Sequence, residues 1–425
     1  MPFPVLMRIR NFNKMKIRHC IKKRISIFVV VLLFVISCSG NDMFPVTEEQ
    51  ALSEKPARNI PFDTVDLSTW SMALGVNYNE QLQFINFNDL RRTKTTWVRG
   101  FIDFFQLYDS TKGLHSDERI KDYLSLQKEG YKTILNIKWN FRERNESLPA
   151  ENSTDFKAYM IFLNKLLEQV WYSTDLLVIG NEPFIETKVA ERDQRVVDFY
   201  KAVARVVMQF RDGHPDRDVL IFVGAFNNLY EETWQTAAVN SLLSFVEEEP
   251  GIAGIDIHIH HSEMEHIPAA LSFVSNRIRE NQKIIVTEFS LMKYWKSHLT
   301  DAVSETFAMA WQIDPAWKNY QYIDYALKHP RPMSEWYAFL KNSHWFESRK
   351  HYLHEAYTLM TGNPRFLVAT YAIRQSFPYN QDFKSTSDSW ILNGLFANRT
   401  IEQDTLLKQT QFNYSFMDNF IEFQK

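Results

Sequence analysis

The stretch DLLVIGNEPF, residues 175–184, decides how this chain is read. Its apolar run stops at Gly180, and Asn181, Glu182 and Pro183 follow before a polar, helix-like segment. A strand buried on both faces of a parallel sheet reads as a near-continuous apolar run. Polar residues just past the carboxyl end of such a strand point to a site rather than to packing.

Runs of the same kind recur on both sides of it. They are WSMALGVN (70–77), TTWVRGFID (95–103), YKTILNIKW (131–139), VLIFVGAF (219–226), IAGIDIHIH (252–260) and QKIIVTEF (282–289). Between them lie segments with apolar residues at helical spacing, among them 153–171, 195–210 and 267–281. SDERIKDYLSLQKEG starts with a capping residue at Ser116 and stops at Gly130. Strand–helix alternation implies a parallel sheet. Seven units with room for an eighth point to an α/β chain folded as a (β/α)8 barrel. An open doubly wound sheet lacks support, because no Gly-rich phosphate loop follows the first run.

FLVATYAIR (366–374) is the preferred eighth strand. SWILNGLFA (389–397) is then a strand or extended segment packed outside. Residues 293–365 form a long insertion after the seventh strand, rich in Trp, Tyr and His. Such an insertion commonly builds a lid or wall over a site, or else adds helical bulk.

The polar residues now fall at strand ends. Arg99 lies in the second strand, Lys138-Trp139-Asn140 ends the third, Asn181-Glu182 the fourth, and Asn227-Asn228 follow the fifth. His258 and His260 lie on one face of the sixth, Glu288 ends the seventh, and Tyr371 is the aromatic candidate of the eighth. Carboxyl ends of barrel strands share one mouth. Two carboxylates facing each other there are what glycosidic cleavage needs, one to protonate the leaving oxygen and one to attack carbon or activate water. Their environments must separate their pKa values, and Arg99 could hold Glu288 ionised. The competing readings are ordinary ones. Glu182 could cap the next helix, Arg99 could pair with Asp103 or Asp256, Trp139 could be core, and His258, the deeper of the two histidines, could be structural.

GNEP closing the fourth strand, with a Glu closing the seventh, resembles the large clan of retaining β-glycosidases built on (β/α)8 barrels. The resemblance covers roughly residues 70–375. It implies Glu182 as acid/base, Asn181 as ligand of the sugar 2-hydroxyl, Glu288 as nucleophile and Arg99 as the strand-two arginine. His260 stands where many members carry Tyr, and the eighth strand has no terminal Trp. Trp139, Asn227 and Tyr371 complete the expected substrate-binding set. HIHH also raises a metal, but a zinc site needs further Cys or carboxylate ligands in order. Neither metal nor cofactor is expected. The alternative function is a glycan-binding barrel without catalysis, which two retained carboxylates argue against.

The N-terminus carries a separate message. Lys22, Lys23 and Arg24 precede ISIFVVVLLFVIS, too short for an ordinary spanning helix and laid out like a secretory signal. VISC followed by Ser39-Gly40 resembles a bacterial lipobox, with Cys38 as the lipidated residue. The expected organisation is a lipoprotein signal over 1–37, a tether over 38–68 and the barrel over 69–425. Met15 is an alternative start. The expected location is the bacterial envelope, lipid-anchored at the outer membrane. Cys20 lies within the signal, which leaves the exported chain no internal disulfide. Residues 1–37 hold eight Lys/Arg and no Asp/Glu, so their removal takes the formal charge from −3 to −11. So acidic a chain is a poor partner for nucleic acid or anionic lipid; the carbohydrate substrate is what the resemblance implies.

Overall fold

A computed structural model describes residues 70–424. The signal, Cys38 and the whole of the tether lie outside the described residues. Eight strands close a parallel barrel in sequence order: β1 Ala73–Asn77, β2 Trp97–Asp103, β3 Lys132–Lys138, β4 Leu176–Ile179, β5 Leu220–Asn227, β6 Gly254–His260, β7 Lys283–Ser290 and β8 Phe366–Ala372. β1 pairs with both β2 and β8, so no edge remains open. Each apolar run of the sequence supplies one strand, and 366–374 supplies the eighth. The later run forms a 3-10 turn, Trp390–Leu392, and an extended piece in which Phe396 bridges to Arg374 and Phe412.

The period of two along each strand divides the barrel interior into layers. Trp97, Arg99 and Phe101 alternate along β2; Ile134, Asn136 and Lys138 do so along β3. The lowest layer is an apolar floor containing Trp97, Ile134, Leu176, Leu220 and Ile285, against which Trp70 packs. Above it lies a buried polar layer of Arg99, Asn136, Asp256, Thr287 and Thr370. The third layer opens at the mouth.

Helices wrap the strands because each buries one apolar stripe against them. Thr154–Val170 starts at Ser153, whose side chain accepts from the Phe156 amide. Glu118–Lys128 is capped by Asp117 rather than by Ser116, which belongs to a preceding 3-10 turn. The insertion after β7 is a set of short helices, Met292–Ser297, Glu305–Trp311, Asn319–Lys328, Met333–Asn342 and His344–Glu347. Trp295, Phe307, Tyr322, Trp336, Phe339 and Phe346 are fully buried within it. Its aromatic residues build a core of their own. The wall beside Glu288 comes instead from Gln375, Ser376 and Trp390, after β8. Of the two expectations for 293–365, helical bulk holds and the lid does not. The remainder of the barrel positions the site.

Candidate active site

GNEP is legible atom by atom. Gly180 has φ +111°, and a Cβ there would meet the Gly224 carbonyl oxygen at 2.1 Å, so only glycine lets β4 turn outward. Glu182 is left-handed, at φ 51° and ψ 56°, a strained state of the kind that gathers at functional sites. Pro183 opens the helix Pro183–Glu186 at the position where a missing N–H costs nothing. Glu182 stands at the N-cap, yet its carboxylate caps nothing. It points into the cleft, accepting from Asn227 Nδ2 at 2.5 Å and lying 3.3 Å from His258 Nδ1.

Arg99, fully buried, organises the floor of the site. Its Nη1 donates to Glu288 Oε1 at 2.6 Å and to Asn77 Oδ1 at 3.1 Å. Its Nη2 donates to Asn181 Oδ1 at 2.6 Å and its Nε to Asn136 Oδ1 at 2.9 Å. Neither Asp103 nor Asp256 is its partner. Asp103 caps the helix Phe104–Tyr108, and Asp256 accepts from Asn136 and Thr287.

His258 lies between the carboxylates. Nδ1 faces Glu182, while Nε2 is 3.1 Å from Thr287 Oγ1 and 3.8 Å from Glu288 Oε1. Thr287 Oγ1 donates to Asp256 Oδ2 at 2.6 Å, leaving its lone pairs to accept from His258 Nε2–H. That assigns the permanent ring proton to Nε2 and makes Nδ1 the nitrogen that titrates. His260 places Nε2 3.7 Å from Glu288 Oε2, while its Nδ1 contacts Ser290 Oγ at 2.8 Å.

Burial is the largest single influence on each of these groups, and it favours their neutral forms. It prevails at His260, taking it down to about 4, so the ring is neutral. At His258 the charges of Glu288, Glu182 and Asp256 overcome burial and raise the pKa. At Glu182 the His258 contact, His260 and the Asn227 amide overcome it and take the carboxyl to about 2. Glu288 is lowered by His258 and Arg99. Both carboxylates keep about a fifth of their side-chain surface open, 21% for Glu182 and 19% for Glu288. They line a cleft of about 330 Å³ with Asn181, Phe101 and Trp390.

The structure thus brings together Glu182, Glu288, Asn181, Arg99 and His260. Two expected substrate contacts, Trp139 and Tyr371, are corrected. Trp139 is wholly buried, its ring 4.1 Å from that of Phe104, and it serves the core. Tyr371 is buried, with its hydroxyl donating to Asn393 Oδ1 at 2.8 Å. Asn227 donates its Nδ2 to Glu182 Oε1, and its Oδ1 has no hydrogen-bond partner. His258 is fully buried, the deeper position expected of it, and lies against both carboxylates. The β6–β7 register slips between Asp256 and His258, setting His258 opposite Glu288. Trp390 was missed. Its ring stands edge-on to His260, 4.8 Å away, and supplies the aromatic wall that β8 lacks.

Glu182, His258 and His260 offer one ligand atom each, all within 4.8 Å of one another. These are donor types a transition metal accepts. Here they already engage one another and the adjoining Glu288, beside the Arg99 guanidinium.

No protein family's sequence model matches the chain. No curated protein matches it either. Solved structures do resemble it in backbone. An endo-β1,6-glucanase shares 12% identity at TM-score 0.46, covering 84% of this chain and 76% of its own. A family 39 glycoside hydrolase from Bacteroides cellulosilyticus shares 12% at 0.48, covering 83% of this chain; the match spans 63% of the hydrolase. A broad-specificity endoglucanase from Ruminococcus champanellensis shares 9% at 0.47, covering 86% of this chain and all of its own. At such identities and scores the likeness says nothing about this chain's chemistry, which rests on the site itself.

Proposed function

We propose that this protein hydrolyses β-glycosidic bonds of an oligo- or polysaccharide with retention of configuration. The observation that carries the reading is the convergence of Glu182, from the end of β4, and Glu288, from β7, on opposite nitrogens of His258 in one cleft. Glu288 is the nucleophile. His258 and Arg99 keep it ionised against its burial, and Arg99 fixes its direction. Glu182 is the acid/base, and Asn181 is set by Arg99 to meet the hydroxyl beside the reacting carbon.

A carboxyl held at about 2 cannot by itself keep a proton at neutral pH. The proton belongs to the Glu182–His258 pair, as strongly coupled groups titrate together. It rests on His258 Nδ1 in the free protein and passes to Glu182 Oε1 as the leaving oxygen approaches. Attack by Glu288 forms a glycosyl ester and breaks the glycosidic bond; the proton goes to the leaving oxygen. Glu182, now a base, takes a proton from water, whose oxygen displaces Glu288 and restores the starting state. Trp390 offers a flat apolar face to the sugar ring.

Support for retention comes from the resemblance of GNEP and the paired Glu to the retaining clan, and the mechanism requires the carboxyl groups about 5–5.5 Å apart with substrate bound. The location we propose is the bacterial envelope, anchored at the outer membrane through a lipid on Cys38. The test is a panel of β-linked glycans incubated with wild type and Glu288→Ala, with products followed by NMR. Release of a β-anomer by wild type alone is expected. No cleavage of any glycan, or equal cleavage by both proteins, overturns the reading.

A further inference from the structure

Beyond the catalytic pair, the same cleft holds three charged side chains that the mechanism does not use. Lys138, at the end of β3, places Nζ 3.6 Å from Glu186 Oε1 on one side and 3.6 Å from Glu80 Oε2 on the other. Neither distance closes to a hydrogen bond. Glu186 follows GNEP on its short helix and is nine-tenths buried, and its Oε2 has no hydrogen-bond partner. A buried carboxylate oxygen without a partner costs free energy unless something supplies a donor. Its helix continues the turn that sets Glu182, and Glu186 lines the cleft that holds both catalytic carboxylates.

We propose that Lys138, Glu80 and Glu186 form a sugar subsite that takes two adjacent hydroxyls of a neutral pyranose. The proposal rests on the hydrolase reading and adds to it the class of sugar and a second place where the glycan is held. A hydroxyl oxygen set about 2.8 Å from each partner fits either 3.6 Å gap. It accepts from the ammonium and donates to the carboxylate, which suits a hydroxyl's one donor and two lone pairs. The ammonium has donors for both gaps at once, so two neighbouring hydroxyls are held by one cation, each returning its proton to its own carboxylate.

The surrounding charge selects against acidic sugars. Glu80, Glu182, Glu186 and Glu288 all line the cleft, and Arg99 is sealed beneath it. A uronate would add a negative charge beside those of Glu80, Glu182 and Glu288. Glu80 also lines a neighbouring groove of about 710 Å³ with Gln106 and Arg119. The triad thus stands between the reacting centre and a larger trough, where a further sugar of a longer chain would lie.

The experiment uses the full protein carrying Glu288→Gln, which stops turnover, and calorimetric titration with β-linked trisaccharides of glucose, galactose, mannose and xylose and with a glucuronate-containing trisaccharide. At least one neutral trisaccharide is expected to bind and the acidic one not to. Adding Lys138→Met or Glu186→Leu should weaken the neutral ligand about 10–100-fold, the worth of hydrogen bonds to charged groups. Glu186→Gln, which keeps an acceptor, should restore most of the loss. Thermal unfolding run alongside separates lost contacts from lost fold. In the parent enzyme, Lys138→Met should raise KM for the trisaccharide by more than it raises KM for an activated aryl monosaccharide. Unaltered trisaccharide affinity in both folded variants, or preference for the acidic sugar, overturns the subsite while cleavage by wild type leaves the hydrolase reading standing. Absence of any sugar binding or cleavage overturns both.

Discussion

Arg99 Nη1 lies 2.6 Å from Glu288 Oε1, and Arg99 has no exposed surface. The guanidinium cannot turn to water if its partner is lost, and the carboxylate has no second arginine. Removing one member of a buried pair costs about 3–5 kcal/mol because a desolvated charge is left behind. Arg99→Met should therefore lower stability by roughly that amount. It should also move the acid limb of the pH–rate profile to higher pH, since Glu288 loses one of the two charges that hold it down against burial. Urea unfolding and kcat/KM against pH check the two halves separately.

Replacing each carboxylate should leave a different signature. Glu182→Ala should slow natural glycans far more than aryl glycosides with good leaving groups, which need little protonation; general acid catalysis is worth ~10²–10⁴. Azide should rescue Glu182→Ala to a glycosyl azide of retained configuration, and Glu288→Ala to the inverted one. A fluorosugar with a good leaving group should label Glu288, read by mass spectrometry of the digested protein. The reverse stereochemistry would exchange the two roles.

The proton shared by His258 and Glu182 sets the alkaline limb. The pair is protonated at low pH and loses its proton as pH rises through the raised pKa of His258, above 6.5. In His258→Gln the proton must sit on Glu182 alone, so the alkaline limb should move to lower pH by a unit or more, and Glu182 should rise from about 2. A merely structural role for His258 would lower kcat at every pH and leave the profile's shape alone.

Glu186 gives a stability test with a defined sign. Burial raises its carboxyl to about 7 from 4.5, against the pull of Lys138. The folded protein holds this proton where the unfolded chain has lost it. The associated stability is complete below 4.5 and disappears as pH rises through about 7. Glu186→Gln stays neutral throughout, so its advantage over wild type should be near zero at pH 4 and reach up to about 3 kcal/mol above pH 8. Unfolding curves at the two pH values decide it.

Cys38→Ser should abolish incorporation of labelled fatty acid and leave a soluble or uncleaved protein. Equal labelling of the mutant would end the lipid-anchor proposal.

The barrel was legible because its strands are buried on both faces, which leaves uninterrupted apolar runs whatever lies around them. Even β4, only Leu176–Ile179, stands out in DLLVIGNE. Glu182, Glu288, Asn181 and Arg99 were legible because a strand's end fixes where its side chains go. Trp139 and Tyr371 were misread for the opposite reason. Trp139 is sealed by Phe104 and Phe199, Tyr371 by Asn393 and Phe416, and nothing in the local sequence announces those neighbours. His258 gained its place from a one-residue register slip, which no periodicity contains. Trp390 comes from a turn beyond β8, in the run weighed as a rival strand, and only the tertiary path carries it back to the mouth.

The closure of β1 against β8 gives this chain a direction in time. Synthesis delivers Arg99 long before Glu288, and β8 later still. No fragment ending before residue 288 can bury that guanidinium with its counter-charge, and none ending before residue 366 can cover both sides of β1. Burying that guanidinium without its partner would cost several kcal/mol, so a chain ending before residue 288 lacks the ion pair on which the finished site is built. The sheet therefore closes around Arg99 only with β8, the last strand to be made.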